Sequence, residues 1–193
     1  MDIGLITPKY PPNTRGGGEI SAQLLAEQLV EQTAHSVTVH TFDGNKEETI
    51  NRVDVIRHQD IPLIPEVASL FAIRELRHIS RQYDLLHGYN MELLPAVGAL
   101  SYINDVPSVA HLNSYTFINK RGIGMDPRGR EKIYNDFVRP LTGPITQKAI
   151  SNIDRLIALS ESVYTIYDES GIDTRMNIVT NMIDPAVTPD SVS

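Results

Sequence analysis

Three consecutive glycines, Gly16-Gly17-Gly18, stand immediately before a helix-forming stretch that begins at Glu19. Residues without Cβ let backbone N–H groups come close to a ligand, and a helix start adds unpaired donors and a partial positive charge suited to phosphate. A glycine-rich bend is also an ordinary way to turn a strand into a helix, so both readings stand on these residues alone. Two phosphate fingerprints are excluded. A dinucleotide motif needs glycine where Ser21 stands, and a Walker loop needs a Gly-Lys-Ser/Thr that does not occur.

A second set of polar side chains ends two apolar runs. Leu85-Leu86 leads to His87 and Tyr89, and Val109-Ala110 leads to His111 and Asn113. An imidazole at a strand end can hydrogen-bond a hydroxyl or a developing charge, although such histidines also serve as satisfied structural groups. His87 and His111 lack further ligands for a metal site, so no metal is expected. Between Thr116 and Lys132 lie five cations, Lys120, Arg121, Arg128, Arg130 and Lys132, against Asp126 and Glu131. This basic island is either a solvated loop or a grip for an anionic acceptor or an anionic membrane surface. Arg74, Arg77, His78 and Arg81 recur at helical spacing beside Phe71, Ile73, Leu76 and Ile79, which reads as a surface helix or as one lying at an interface.

The surroundings of these residues narrow the class. A net charge of −7 argues against a nucleic-acid binder, because neutralising phosphates needs a basic face. The chain has no cysteine, which excludes a disulfide scaffold and permits a reducing compartment. No apolar run approaches the ~18 residues that span a bilayer, and Met1-Asp2-Ile3-Gly4 lacks the basic start of a signal peptide. A cytoplasmic protein is expected, with peripheral contact at the inner face of the membrane as an option through the basic island.

The elements that must position the candidates alternate strand and helix. Ile3–Ile6 is an apolar run without alternation, as expected of a strand covered on both faces. A Pro- and Gly-rich loop follows to Gly18, and residues 19–32 read as helix. Ser36–Phe42 is a β-branched strand ended by the turn Asp43-Gly44-Asn45, and Val53–Ile56 is a third strand, pairing with the second as a hairpin. Residues 66–82 read as helix, 84–87 as strand, and Asn90 as the N-cap of a helix over 91–103. Ser108–Leu112 is a strand, residues 113–129 a long loop, and residues 131–152 a helical region broken near Pro140 and Pro144. Residues 155–159 form a strand, Ser160 caps a helix that stops at Gly171, and residues 177–180 form a last strand. This pattern predicts a single doubly wound, mostly parallel, Rossmann-like α/β domain, with ligands beyond the carboxyl ends of its strands.

Several segments, taken in order, carry a resemblance. Pro8-Lys9-Tyr10-Pro11-Pro12 and Gly16-Gly17-Gly18-Glu19 resemble the opening of family 4 glycosyltransferases, P-x-Y-P-P and then G-G-x-E. Ala34-His35-Ser36-Val37-Thr38-Val39 is similar to G-H-x-V-x-V, with Ala34 for glycine, and His35 reads as structural. Asp84-Leu85-Leu86-His87-Gly88-Tyr89 resembles D-V-V-H-x-H, with Tyr89 for the second histidine. Pro107 to Asn113 is similar, loosely, to the strand end P-x-V-x-T-x-H-G, and Ile153 to Ser160 to A-D-x-V-I-A-x-S. Val179 to Asp184 resembles V-x-P-N-G-V-D, with Thr180 for proline and Met182 for glycine.

The resemblance implies the N-terminal, acceptor-side half of a GT-B enzyme over residues 1–184, with 185–193 the start of a linker. It implies a retaining transferase that moves a sugar from a nucleotide-sugar to a glycan, lipid-linked or small-molecule acceptor, without an essential metal or other cofactor. Gly16, Gly17 and Gly18 would meet the donor diphosphate, and His111 would act at the reacting sugar. His87, Tyr89, Asn113, Lys120 and Arg121 would line the acceptor side. A C-terminal donor domain, or a separate chain, would complete the enzyme, and these residues alone would be catalytically incomplete. Two other readings stay open: a non-catalytic glycan- or protein-binding module, and a nucleotide-dependent oxidoreductase with Asp43 as the ribose-binding acid.

Overall fold

The computed structural model describes residues 1–14, 16–61, 64–172 and 175–180. Among these residues eight strands form one sheet: β1 (Asp2–Thr7), β2 (Ser36–Thr41), β3 (Lys46–Ile50), β4 (Val53–Arg57), β5 (Leu85–Gly88), β6 (Ser108–Leu112), β7 (Arg155–Ala158) and β8 (Met176–Ile178). Their order is β3-β4-β2-β1-β5-β6-β7-β8. All pairs are parallel except the antiparallel β3–β4 hairpin at the edge. The strand order reverses between β1 and β5, where a crevice opens beyond the carboxyl ends of the strands.

Among the described residues six α-helices accompany the strands: α1 (Gly17–Gln32), α2 (Pro65–Leu76), α3 (Leu94–Asn104), α4 (Arg130–Ile133), α5 (Arg139–Ile150) and α6 (Glu161–Glu169). Alternation along β1 sends Ile3 and Leu5 toward Ala22 and Ala26 of α1, and Ile6 toward a larger core. That larger core takes Ala68 and Ala72 from α2, Leu94, Ala96, Val97 and Leu100 from α3, and Tyr167 of α6. Helix α3 is therefore the sandwiched one, buried from Leu94 to Gly98.

Several expectations are corrected. The third predicted strand, β4, is not a hairpin partner of β2; it runs parallel to it, in register from Thr38 opposite Asp54 to Thr41 opposite Arg57. The hairpin is made instead by Lys46–Ile50, whose polar sequence hid a strand, and its turn sets Asn51 and Arg52 at φ 49° and 70°. Helix α1 begins at Gly17, so two of the three glycines are helical. The helix predicted over 66–82 ends at Leu76, followed by a separate 3₁₀ turn over Ser80–Gln82.

Asn90 stands at the N-cap position of a 3₁₀ turn over Met91–Leu93 that leads into α3, but its side chain does not make the expected capping bond. Lastly, Pro140 and Pro144 do not break the helical path. A π turn over Tyr134–Val138 joins α4 to α5, and its wider backbone accommodates the first of the two rings, which would otherwise crowd the carbonyl four residues before it. The segment 181–184 and the proposed boundary at 184 lie outside the described residues.

Candidate functional site

A cleft of ≈ 440 Å³ opens at the carboxyl edge of the sheet. Its walls come from the start of α1 (Gly16 to Glu19 and Ser21), the segment after β5 (Tyr89, Asn90, Glu92), the end of β6 (Asn113, Ser114) and Leu159. Three stretches that sequence alone proposed separately, the glycines, Tyr89 and Asn113, thus meet in one place.

Gly16 is the N-cap of α1 in extended backbone, φ −173°, which any residue adopts. Its N–H donates to the Glu19 carboxylate at 3.0 Å, one half of a capping box, since glycine has no side chain for the other half. The N–H groups of Gly17 and Gly18 find no acceptor among the described residues, as expected for the first turn of a helix. Gly17 and Gly18 line the cleft at the positive end of a 16-residue helix. A Cβ built on Gly16 or Gly17 meets nothing within 4 Å, whereas on Gly18 it would lie 2.4 Å from Asn90 Oδ1. Packing therefore explains glycine at 18. Nothing in the described fold requires it at 16 or 17, and there close approach of a ligand is the remaining physical reason.

Asn90 is the residue that sequence reasoning missed. It is buried at the crevice with φ 73°, a backbone conformation that asparagine tolerates better than most residues. Its Nδ2 donates to Thr7 Oγ1 at 3.3 Å, and its Oδ1 accepts from Asn113 Nδ2 at 2.6 Å. It thereby ties the ends of β1, β5 and β6 together beside Gly18. The available signal was a polar residue following the strand-end Tyr89 and preceding an apolar run, which equally suits an N-cap.

His87 and His111 lie deeper than expected. They are 6% and 9% exposed, stack at 5.0 Å between centroids, and do not line the cleft; Tyr89 lies against His111 at 4.6 Å. Burial lowers the pKa of His87 to about 3, with the neighbouring His111 adding to the effect, and burial lowers that of His111 to about 4. Both rings are neutral near pH 7. Nε2 of His87 and Nδ1 of His111 are buried without a partner among the described residues, so the pair holds unused hydrogen-bonding capacity beneath the cleft. Tyr89 has its hydroxyl within hydrogen-bonding reach of Ser21, and burial raises its pKa.

The basic island divides. Lys120 pairs with Glu131 at 2.6 Å, Arg121 with Asp136 at 3.0 Å, and Arg128 lies 3.6 Å from Asp126. Lys120 lines a separate, mostly apolar groove of ≈ 520 Å³ beside Ile64, Ile118, Arg130 and Tyr134, and Arg121 lines neither cavity. The structure thus does not gather these two cations with Tyr89 and Asn113.

Asp43 is already occupied. Its carboxylate accepts from Tyr10 N at 3.1 Å, from Arg57 Nη1 at 2.7 Å and from Thr41 Oγ1 at 3.2 Å, all buried. Arg57 in turn donates to the carbonyls of Tyr10 (3.1 Å) and Pro11 (2.6 Å) and to Glu48. A carboxylate 2% exposed and already paired with Arg57 is closed to a ribose, which removes the acid that the oxidoreductase reading needs. Asp43 and Arg57 instead pin the Pro-rich loop that delivers the glycines.

Residues 15–187 match the model of Glycosyltransferase Family 4. No curated protein matches significantly. Among solved structures, the chain is similar to sucrose-phosphate synthase from Thermosynechococcus elongatus (TM-score 0.67, 17% identity, covering 93% of this chain and 47% of that one). It is likewise similar to Anabaena HepE in complex with UDP-glucose (0.63, 16%, 95% and 44%). Phytolacca americana UGT2, complexed with UDP-2fluoro-glucose and pterostilbene, aligns at 0.61 with 11% identity, covering 95% of this chain and 55% of that one. The chain spans about half the length of these structures, and at such identities the likeness shows a shared fold.

Proposed function

From the premise that this chain belongs to glycosyltransferase family 4, we propose that it is the acceptor-side half of a transferase that takes a sugar from a nucleotide-sugar. The observation that carries the reading is the glycine pair Gly16-Gly17, which the described fold itself does not require, beside two unpaired helix N–H groups in an open cleft. In this reading the donor diphosphate sits on the N–H groups of Gly17 and Gly18, where backbone donors and the helix dipole meet negative charge. HepE and the Phytolacca enzyme, which carry UDP-sugars in structures with this fold, support a UDP-sugar as the first donor to test.

The acceptor hydroxyl, on a glycan, a lipid-linked sugar or a small molecule, enters along Tyr89 and Asn113. His111, neutral and with Nδ1 unpartnered, is assigned to hydrogen-bond the reacting sugar from beneath, which requires a shift of the Tyr89 ring. We assign no general base, and the reaction runs with retention and without an essential metal. A second domain or chain brings the donor, and its closure over the cleft excludes water. The reading places the enzyme in the cytoplasm.

Titration of the chain with UDP-glucose and, separately, with NAD tests this. Weak binding of the UDP-sugar that disappears in Gly17→Val is expected; tight binding of NAD would overturn the reading. Sugar transfer by the purified chain alone would overturn the need for a second domain.

A further inference from the structure

The helical path α4–α5 is amphipathic in the wrong sense. Its buried side, packed on α3, carries Gly143, Thr146 and Ile150, and the Thr146 hydroxyl donates within its own helix, to the carbonyl of Gly143 (3.0 Å). Its outward side carries Ile133, Phe137, Leu141 and Ile145, exposed by 60, 70, 80 and 74%. These four recur every four residues. On a regular helix such a row drifts around the axis, and the π turn between Ile133 and Phe137 takes up part of the drift, so they form one stripe roughly 18 Å long. Pro140 and Pro144, both exposed, fall on the same side. An ordinary surface helix turns its apolar stripe inward, so a stripe this exposed marks a contact surface.

The charges around the stripe select its occupant. No Asp or Glu occurs between Phe137 and Ile150, in a chain of net charge −7. Exposed cations stand at both ends: Arg130 and Lys132 at one and Lys148 at the other, none in an ion pair among the described residues. A two-fold antiparallel pairing of this face with a second copy would set Arg130 and Lys132 against the partner copy's Lys148, like charge on like. A surface that is apolar within and anionic at its rim suits both features.

We propose that the outer face of α4–α5 docks on an anionic lipid bilayer, with Phe137, Leu141 and Ile145 entering the acyl boundary and Arg130, Lys132 and Lys148 meeting headgroups. The loop cations Lys120 and Arg121, being paired, are not the anchor. The proposal is independent of sugar transfer, since vesicle binding needs neither donor nor acceptor.

Co-sedimentation of the chain with phosphatidylcholine vesicles, with and without phosphatidylglycerol, tests it. Binding to the anionic vesicles that weakens with salt is expected, with little to phosphatidylcholine alone. Leu141→Asp with Ile145→Asp should lower vesicle affinity at least about tenfold, and Arg130→Glu with Lys148→Glu should lower it several-fold, with far-UV circular dichroism unchanged. Should the aspartates disturb the helix, Leu141→Ser with Ile145→Ser replaces them with the same expected loss. Failure of the unaltered chain to sediment, or undiminished binding by the substituted chains, overturns the proposal. So does a dimer, seen by light scattering, that Leu141→Asp dissolves in a chain indifferent to vesicles.

Discussion

Two loops rise from the same edge of the sheet, both held by ion pairs, in opposite surroundings. The loop after β1 is fastened by Arg57 and Asp43, whose side chains are 0% and 2% exposed and which also bond the loop backbone at Tyr10 N, Tyr10 O and Pro11 O. The loop after β6 is fastened by Lys120–Glu131, Arg121–Asp136 and Arg128–Asp126, each with at least one partner more than half exposed. Buried, a pair is costly to break because it strands a charge in low dielectric; exposed, water and salt replace either partner at little cost. The first loop is therefore a rigid platform for the glycines, while the second is free to adapt to what lies above the α4–α5 face.

The strongest test of that contrast removes one cation from each loop. Arg57→Met should cost about 3–5 kcal/mol in urea unfolding, and Arg121→Met at most about 1 kcal/mol. Comparable losses at the two positions would dissolve the distinction. Combining Arg57→Met with Asp43→Asn should recover part of the loss, because the stranded carboxylate goes with its partner.

Acid provides the next largest effect, and it falls on the buried strand ends between the two loops. His87 and His111 titrate near 3 and 4 in the fold and near 6.5 when unfolded. Below pH 6.5 the unfolded chain binds more protons, so stability present at neutral pH is lost as pH falls from about 6.5 toward 4, on the order of 3 kcal/mol per ring. Urea midpoints measured across that range should fall on acidification, and His111→Phe should flatten the slope. An unchanged slope would mean that the ring is not held neutral by burial.

Glycine substitutions sharpen the picture at smaller scale. Gly18→Ala must displace the Asn90 side chain and with it the bonds to Thr7 and Asn113, costing about 1–3 kcal/mol. Gly17→Ala meets no atom within 4 Å and should alter stability by less than about 1 kcal/mol while weakening nucleotide-sugar binding. Calorimetry of both variants with UDP-glucose separates the two; equal stability losses would return Gly17 to a packing role.

Local signals were enough where one residue type has one physical meaning. The unbroken apolar run Ile3–Ile6 reads as a strand buried on both faces, and the sheet bears that out. Lys46–Ile50 escaped because an edge strand pairs through its backbone on one side only, so Lys-Glu-Glu could stay polar. Asn90 escaped because one polar side chain before a helix serves equally as a cap or as a hub, and only the arrival of Thr7, Gly18 and Asn113 decides between them. Pro140 was read as a break because the π turn that accommodates it has no sequence signature of its own.

From sequence alone the chain's class, strand-helix alternation, glycine loop and family resemblance could be derived, because each depends on neighbours within a few residues. Three things depended on contacts across dozens of positions: that Gly16 and Gly17 are unconstrained by the described fold while Gly18 is packed, that His87 and His111 are stacked, buried and neutral, and that α5 turns its apolar side to solvent. Burial belongs to the assembled sheet rather than to any segment, and burial is what converts a glycine, a histidine or a leucine from a residue type into a role.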